Sequence, residues 1–183
     1  FVLLGRSGSG KGTQAKLLVE RFGNLYHIST GDLFRNLASE NTLMSRKVSR
    51  ILKEGKFPPD DLATALLINS ISFKIRDGQG FVLDGYPRTL PQVDVLDEFL
   101  EFLEVERDTF FVLIRVSYKE AFRRMMERKR SDDSKDSISS RLDLFRKEVL
   151  PVIIRYKKEN RLVIINGEQS PLDVHEDIVS KTR

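Results

Sequence analysis

Five short runs rich in β-branched and aromatic residues punctuate the chain, at Phe1–Leu4, Leu25–Ser29, Gly80–Leu83, Thr109–Val116 and Leu162–Ile165. Between them lie longer stretches whose apolar residues recur at helical spacing: Ala15–Phe22, Asp60–Arg76, Pro91–Leu103, Lys119–Arg130 and Lys135–Lys158. Strands alternating with helices predict one α/β domain, a five-stranded parallel sheet with helices on both faces. Pro151 interrupts the last of these stretches. A proline lacks the N–H of a helical bond and its ring crowds the carbonyl four residues back, so a kink or two helices are expected there. The chain shows no internal repeat and no low-complexity segment. Ligands of such sheets bind beyond the carboxyl ends of the strands, and the chain's glycine-bearing polar segments fall at or just past those ends.

The first of these segments is Gly5-Arg6-Ser7-Gly8-Ser9-Gly10-Lys11-Gly12-Thr13-Gln14, between the first strand and the first helix. A strand, a glycine-rich turn and a helix start, in that order, build a phosphate cradle. The glycines let backbone N–H groups converge on an anion, the helix N-terminus adds a favourable dipole, and a lysine reaches the outer phosphates. Gly8, Ser9, Gly10, Lys11, Gly12 and Thr13 are therefore candidate phosphate-binding residues. Gly12 stands where the strict consensus has Ser or Thr, with Thr13 one place later.

Two further segments follow strands. In Ser29-Thr30-Gly31-Asp32-Leu33-Phe34-Arg35 the Ser, Thr and Asp would serve as ordinary helix caps, while Arg35, one turn in, aims back at an anion near the helix start. In Asp84-Gly85-Tyr86-Pro87-Arg88 a strand ends in a carboxylate of the kind that holds Mg²⁺ waters in phosphate-loop enzymes. Gly85 permits close backbone approach, Pro87 suits a tight turn with cis as one of its forms, and Arg88 projects from the stiffened loop. A fourth group is Arg124, Arg128, Lys129, Arg130, Asp132, Asp133 and Arg141. The spacing of four puts Arg124 and Arg128 on one helical face, and a solvated basic face paired with two aspartates would explain the group without any ligand.

Composition narrows the field. At 183 residues one domain with a full core is expected. There is no cysteine, which excludes disulfides and cysteine-ligated zinc and fits a reducing cytoplasm. No apolar run approaches the ~20 residues of a membrane span, and no membrane role is expected. The chain begins without methionine inside a strand signal, so residues ahead of Phe1 are expected. The net charge of +4 and pI near 9.3 raise nucleic-acid binding. The arginines are nonetheless spread through helices, with no aromatic-interleaved patch for stacking bases, so no nucleic-acid partner is expected. His27 and His175 are too far apart in sequence to suggest a metal pair, and each is read as structural or exposed.

The offset loop, reading GxxGxGKGTQ, resembles that of the nucleoside monophosphate kinases, with Ser7 where that family usually has proline. Thr30-Gly31-Asp32 with Arg35, and Asp84 to Arg88 with Gln92, resemble the monophosphate-binding elements of the adenylate kinases, with Tyr86 in place of a more frequent phenylalanine. The resemblance covers essentially the whole chain. It implies Mg-ATP and AMP as substrates with ADP as product, and a monomer. It implies that Arg35 and Arg88 grip the AMP phosphate, that Gln92 meets the adenine edge, and that Lys56, Phe57, Pro58, Thr30 and Gly85 complete the AMP site in a lobe of about residues 30–74. The run Arg128 to Asp133, followed by Arg141, resembles a short lid of about residues 128–134, with Lys129 in place of glycine. That implies Arg124 packing on the ATP base, Arg128, Arg130 and Arg141 around the moving phosphoryl, and Asp132 and Asp133 orienting them. The loop Asn166 to Gln169 resembles the one whose backbone contacts the ATP base. Asp84 and Thr13 would hold Mg²⁺, through water. The absence of a long lid insertion excludes the zinc-bearing variant. UMP/CMP kinases, which usually carry alanine at the place of Thr30 and asparagine at that of Gln92, remain an alternative. So does a catalytically weak nucleotide sensor on the same fold.

Overall fold

The computed structural model describes residues 1–128, 130 and 132–182. Five strands, β1 (Val2–Leu4), β2 (Leu25–Ser29), β3 (Gly80–Asp84), β4 (Phe111–Arg115) and β5 (Leu162–Asn166), form one parallel sheet in the order β2-β3-β1-β4-β5. The helices are α1 (Lys11–Phe22), α2 (Thr30–Ser39), α3 (Leu43–Lys53), α4 (Asp60–Lys74), α5 (Leu90–Phe102), α6 (Tyr118–Arg128), α7 (Lys135–Leu144), α8 (Leu150–Lys158) and α9 (Pro171–Lys181).

The sheet is buried on both faces because successive side chains point opposite ways. Leu3, Val82, Val112, Ile114 and Ile165 meet Ala15 and Leu18 of α1 and Val174 and Ile178 of α9. The alternate residues Val2, Leu4, Phe81, Leu83, Phe111 and Leu113 join the larger cluster, with Leu67 and Ile71 of α4, Leu96 and Leu100 of α5 and Val152 and Tyr156 of α8. A third cluster joins Ala121 and Met125 of α6 to Ile138 and Leu142 of α7.

Strand positions agree with the sequence pattern to within about two residues. Helix ends differ where local chemistry intervenes. Helix α4 stops at Lys74 because Ile75 turns extended, with φ −87° and ψ 128°. Helix α6 is described over Tyr118–Arg128, and Arg130, expected in it, is not helical. The long stretch after Lys135 does divide, but ahead of Pro151: Phe145–Val149 form a π-helical turn in which the Leu150 N–H donates to the Phe145 carbonyl, five residues back. Pro151 then sits in the first turn of α8, directly after the π turn, whose wider spacing accommodates a residue with no N–H to donate.

β1 is central, and the chain leaves it for β2 and β3 on one side and β4 and β5 on the other. This reversal opens a crevice above β1 and β3. The register Ser29↔Asp84 ends β2 and β3 flush, so the Ser29–Thr30 and Asp84–Gly85 segments emerge side by side.

Candidate active site

The loop after β1 wraps tightly over the strand ends. Gly5, Gly8 and Gly10 have φ of 141°, 83° and 96°, and a Cβ on Gly8 would fall 2.6 Å from the Ala121 carbonyl. Only glycine meets both demands. Gly10 in its left-handed conformation starts α1 without any side-chain cap, which leaves the first N–H groups of the helix available to an anion. Lys11 Nζ rests on the loop's own carbonyls, Gly5 at 3.0 Å and Arg6 at 2.9 Å. Burial pulls its pKa down to about 8, against the pull of Asp84 and with the help of Arg88, Arg128 and Arg130. Arg6 braces the loop, donating from Nη1 to Val116 O at 2.8 Å and lying 4.5 Å from the centre of the Phe145 ring.

Beside the loop, Thr30 Oγ1 donates to Gly85 O at 2.8 Å and to Asp84 O at 3.3 Å. Thr30 is 2% exposed and Gly85 has φ 87°; a Cβ there would lie 2.8 Å from both Thr30 Oγ1 and Arg88 Nη2. The peptide bond Tyr86–Pro87 is cis. Arg88 donates from Nε to Gly85 O at 2.6 Å, and its guanidinium lies 4.6 Å from the centre of the Phe57 ring. Burial lowers its pKa to about 10, with Asp84 opposing. Gln92, 4% exposed, bonds Asp60 and the Arg88 backbone. Arg35 is held by Asp32 at 2.6 Å over the backbone of Gly31.

From the opposite wall, Asp133 holds two arginines together. Its carboxylate, 1% exposed, takes Arg128 at 3.0 and 3.1 Å and Arg141 at 2.7 Å. Arg141 also bonds Asp132 Oδ2 at 2.6 Å and Leu52 O at 3.3 Å. Arg124 spans Glu120, at 2.6 Å, and Gly167 O, at 2.9 Å. Lys129, expected in the lid, lies outside the described residues.

All of this surrounds one cavity of about 780 Å³, within the range of nucleotide-sized sites. Lys11, Lys16, Arg35, Lys56, Arg88, Arg124, Arg128, Arg130 and Arg141 line it against Asp32, Asp84 and Asp132. Gly8, Gly10, Gly12, Thr13 and Phe57 line it too. Burial, and then Arg128 and Arg35, lower the pKa of Arg130, as crowding of like charges requires. A narrow slot next to it is lined by Thr30, Phe57, Pro58, Gly85, Arg88 and Gln92, together with Phe34 and Ala63. Two expected residues stand apart. Ser9 is buried under the loop with its Oγ unpartnered. Gln169 bonds Asn166 O and Asp177 instead of lining the cavity.

Sequence reasoning missed Lys16 and His27 as members of the site, and the tie of Asp60, at the end of the expected turn, to Gln92. His27 lines the cavity with Nε2 4.0 Å from Asp84 Oδ2; only the strand register, which sets β2 beside β3, reveals that proximity. Burial lowers the His27 pKa.

Asp84 is the carboxylate that faces the loop: a Cβ on Gly12 would lie 3.4 Å from its Oδ2. Thr13, one position on, is exposed on the cavity wall. Among the described residues no group of three or more His, Cys, Asp or Glu could hold a metal ion by itself. One carboxylate and one hydroxyl suit a hydrated Mg²⁺ bound largely through phosphates, since that ion keeps most of its waters. No helix among the described residues is long and apolar enough to cross a membrane.

The family model described as "Adenylate kinase" matches residues 3–161. The adenylate kinase of Corynebacterium urealyticum is 38% identical over 176 residues, which cover 96% of this chain and 94% of that protein. The adenylate kinase of Oenococcus oeni is 35% identical over 173 residues, covering 93% and 91%. That of Methanocella arvoryzae is 33% identical over 214 aligned positions, covering 100% and 98%. Parallel sheet, glycine loop, arginine-lined cavity and near full-length similarity agree, and the chain belongs to the adenylate kinase family.

Proposed function

We propose that the chain is an adenylate kinase, which transfers the γ-phosphoryl group of Mg-ATP to AMP and yields two ADP. One observation carries this reading: among the described residues nine Lys and Arg side chains line one cavity that is floored by the glycine loop and continuous in its lining with a narrow, Thr30- and Gln92-lined slot. Two polyanions must be brought together there, and such a cavity neutralises both.

The acceptor phosphate is already anionic at neutral pH, so no side-chain base is needed. Catalysis comes from positioning and charge neutralisation. The loop amides of Gly8 and of Gly10 to Thr13 cradle the donor phosphates, the Ser9 N–H being held by Arg6 O, and Lys11 exchanges the carbonyls of Gly5 and Arg6 for phosphate oxygens. Arg35 and Arg88 hold the acceptor phosphate. Arg128, Arg130 and Arg141 offset charge on the moving phosphoryl, kept in position by Asp132 and Asp133. Arg124 borders the donor base, with the backbone of the Asn166 to Gln169 loop, to which it is tied through Gly167 O, beside it and the Gln169 side chain turned away, while Lys56, Phe57, Pro58, Thr30, Gly85 and Gln92 border the acceptor base. Asp84 and Thr13 would hold the waters of Mg²⁺, which would supply positive charge against that of the donor phosphates. Residues of about 30–74 form the AMP lobe and about 128–134 the short lid; their closure excludes water, the competing acceptor. The protein acts as a monomer in the cytoplasm.

A coupled assay with ATP against AMP, CMP, UMP and GMP tests the reading. AMP should exceed CMP and UMP in kcat/KM by ~10²-fold or more, because hydrogen-bond partners left unpaired by the wrong base cost on the order of a few kcal/mol. Comparable turnover of CMP would favour a UMP/CMP kinase, and no turnover at all a nucleotide sensor.

A further inference from the structure

Asp60 opens α4, at the end of the turn that carries Lys56, Phe57 and Pro58. Both of its carboxylate oxygens are engaged: Oδ1 accepts from Gln92 Nε2 at 2.7 Å and Oδ2 from Thr89 Oγ1 at 2.6 Å. At the other end of the same amide, Gln92 Oε1 accepts from the Arg88 backbone N–H at 2.8 Å. The oxygen and nitrogen of an amide have nearly the same shape, yet these two cannot trade places. A carboxylate offers no hydrogen and a backbone N–H no lone pair. A reversed amide would set oxygen against carboxylate and nitrogen against N–H, at a site only 4% exposed, where water cannot compensate.

After these bonds the amide retains one N–H and one oxygen lone pair, in a fixed order. A base edge that carries an amino group beside a ring-nitrogen acceptor fits one order. An edge that carries a carbonyl beside a ring N–H fits only the reverse. We propose that Asp60 is a specificity-determining positioning residue, which locks the Gln92 amide so that the slot takes a 6-aminopurine monophosphate and refuses a 6-oxopurine one. This rests on the assignment of the slot to the AMP base and deepens it: Gln92 supplies the contact, and Asp60, acting through it, sets which edge the contact matches. Thr89 fixes the carboxylate in turn.

The test compares kcat/KM for AMP, GMP and IMP in the wild type and in Asp60→Ala, Asp60→Asn and Thr89→Val, with thermal midpoints recorded alongside. A hydrogen bond to a charged group is strong enough that its loss moves such a ratio by about tenfold or more. Asp60→Ala should lower the AMP-to-IMP ratio by that amount, chiefly through KM for AMP with kcat little changed. Asp60→Asn should hold the ratio within about threefold, because its Oδ1 still accepts from Gln92 while its amide donates to the Thr89 hydroxyl. Thr89→Val should give a smaller fall, and carries the test alone where Asp60→Ala does not fold. A purely structural role would depress every acceptor equally, and an unchanged ratio overturns the inference. A wild type that uses IMP as readily as AMP overturns the AMP reading instead.

Discussion

Lys11 is a residue whose chemistry depends strongly on its surroundings. In the free protein its ammonium is held by two loop carbonyls and crowded by arginines. Its pKa, about 8 against an ordinary 10.5, has two consequences of opposite direction. Between those values the unfolded chain binds more protons than the native one, so this group's contribution to stability rises with pH across that window. A polyanion in the cavity favours the ammonium, so binding above pH 8 should draw in a proton. Calorimetry with tripolyphosphate at pH 8.5, in buffers of different protonation enthalpy, should record more proton uptake in the wild type than in Lys11→Met, the ligand's own proton exchange being common to both. In kinetics, Lys11→Ala should lower kcat/KM by roughly 10²–10⁴ with its circular dichroism unchanged, since a preorganised cation at transferring phosphates is worth ~3–5 kcal/mol. A fully active Lys11→Ala would remove the residue from the mechanism.

Among the elements, the contact between the α3–α4 turn and the start of α7 ties one side of the cavity to the other. Gly55, at φ 69°, lies so close to Ser137 that a Cβ would overlap the Ser137 carbonyl, and Arg141 reaches Leu52 O across the same gap. Gly55→Ala must push the turn away from α7 and also carries the strain of a left-handed alanine, ~1–2 kcal/mol. It should lower the melting temperature by several degrees. It should raise KM for AMP several-fold and change KM for ATP less, because the turn bears Lys56, Phe57 and Pro58, which border the proposed acceptor site. Equal effects on both substrates would count against separate lobes. This contact also marks what the sequence withheld. The glycine loop, Thr30 to Arg35 and Asp84 to Gln92 were legible because each chemistry is carried by neighbours in the chain. Gly55 against Ser137, His27 against Asp84 and Asp60 against Gln92 join residues distant in sequence, and no local period encodes such pairs. The split ahead of Pro151 was half legible: a proline announces a break, but the π turn that accommodates it is set by packing.

At the scale of the molecule, a modest net charge of +4 conceals a strong local imbalance, nine cations against three carboxylates around one cavity among the described residues. Such a field concentrates polyanions and weakens as salt screens it. Two adenosines joined through five phosphates should bind tightly, since the linked ligand fills both sites without the entropic cost of a second association. It should raise the melting temperature in a concentration-dependent way. Arg88→Ala and Arg130→Ala should each weaken it by ~2 kcal/mol or more, as phosphate charge loses a partner in a dry site. Against single substrates they should part company: Arg88→Ala should chiefly impair use of AMP, and Arg130→Ala the transfer step. Unchanged analogue affinity and kcat in Arg130→Ala would show that Arg130 does not face the phosphoryl path.

The π turn at Phe145–Val149 lets one rod serve two neighbours. Ahead of it, Ile138 and Leu142 face α6; within and after it, Phe145, Val149, Val152 and Tyr156 face the sheet cluster. An α-helix turns about 100° per residue, so the surplus residue of the wide turn works as an angular adaptor, re-aiming the apolar stripe between its two partners. Deleting one residue from the segment would restore a uniform screw and leave the rod a choice. Either Tyr156 turns off the sheet, or Arg141 swings out of the cavity while the core stays closed. In a lineage of such chains, insertions and deletions should therefore be far rarer in these five residues than in the loops on either side of the rod.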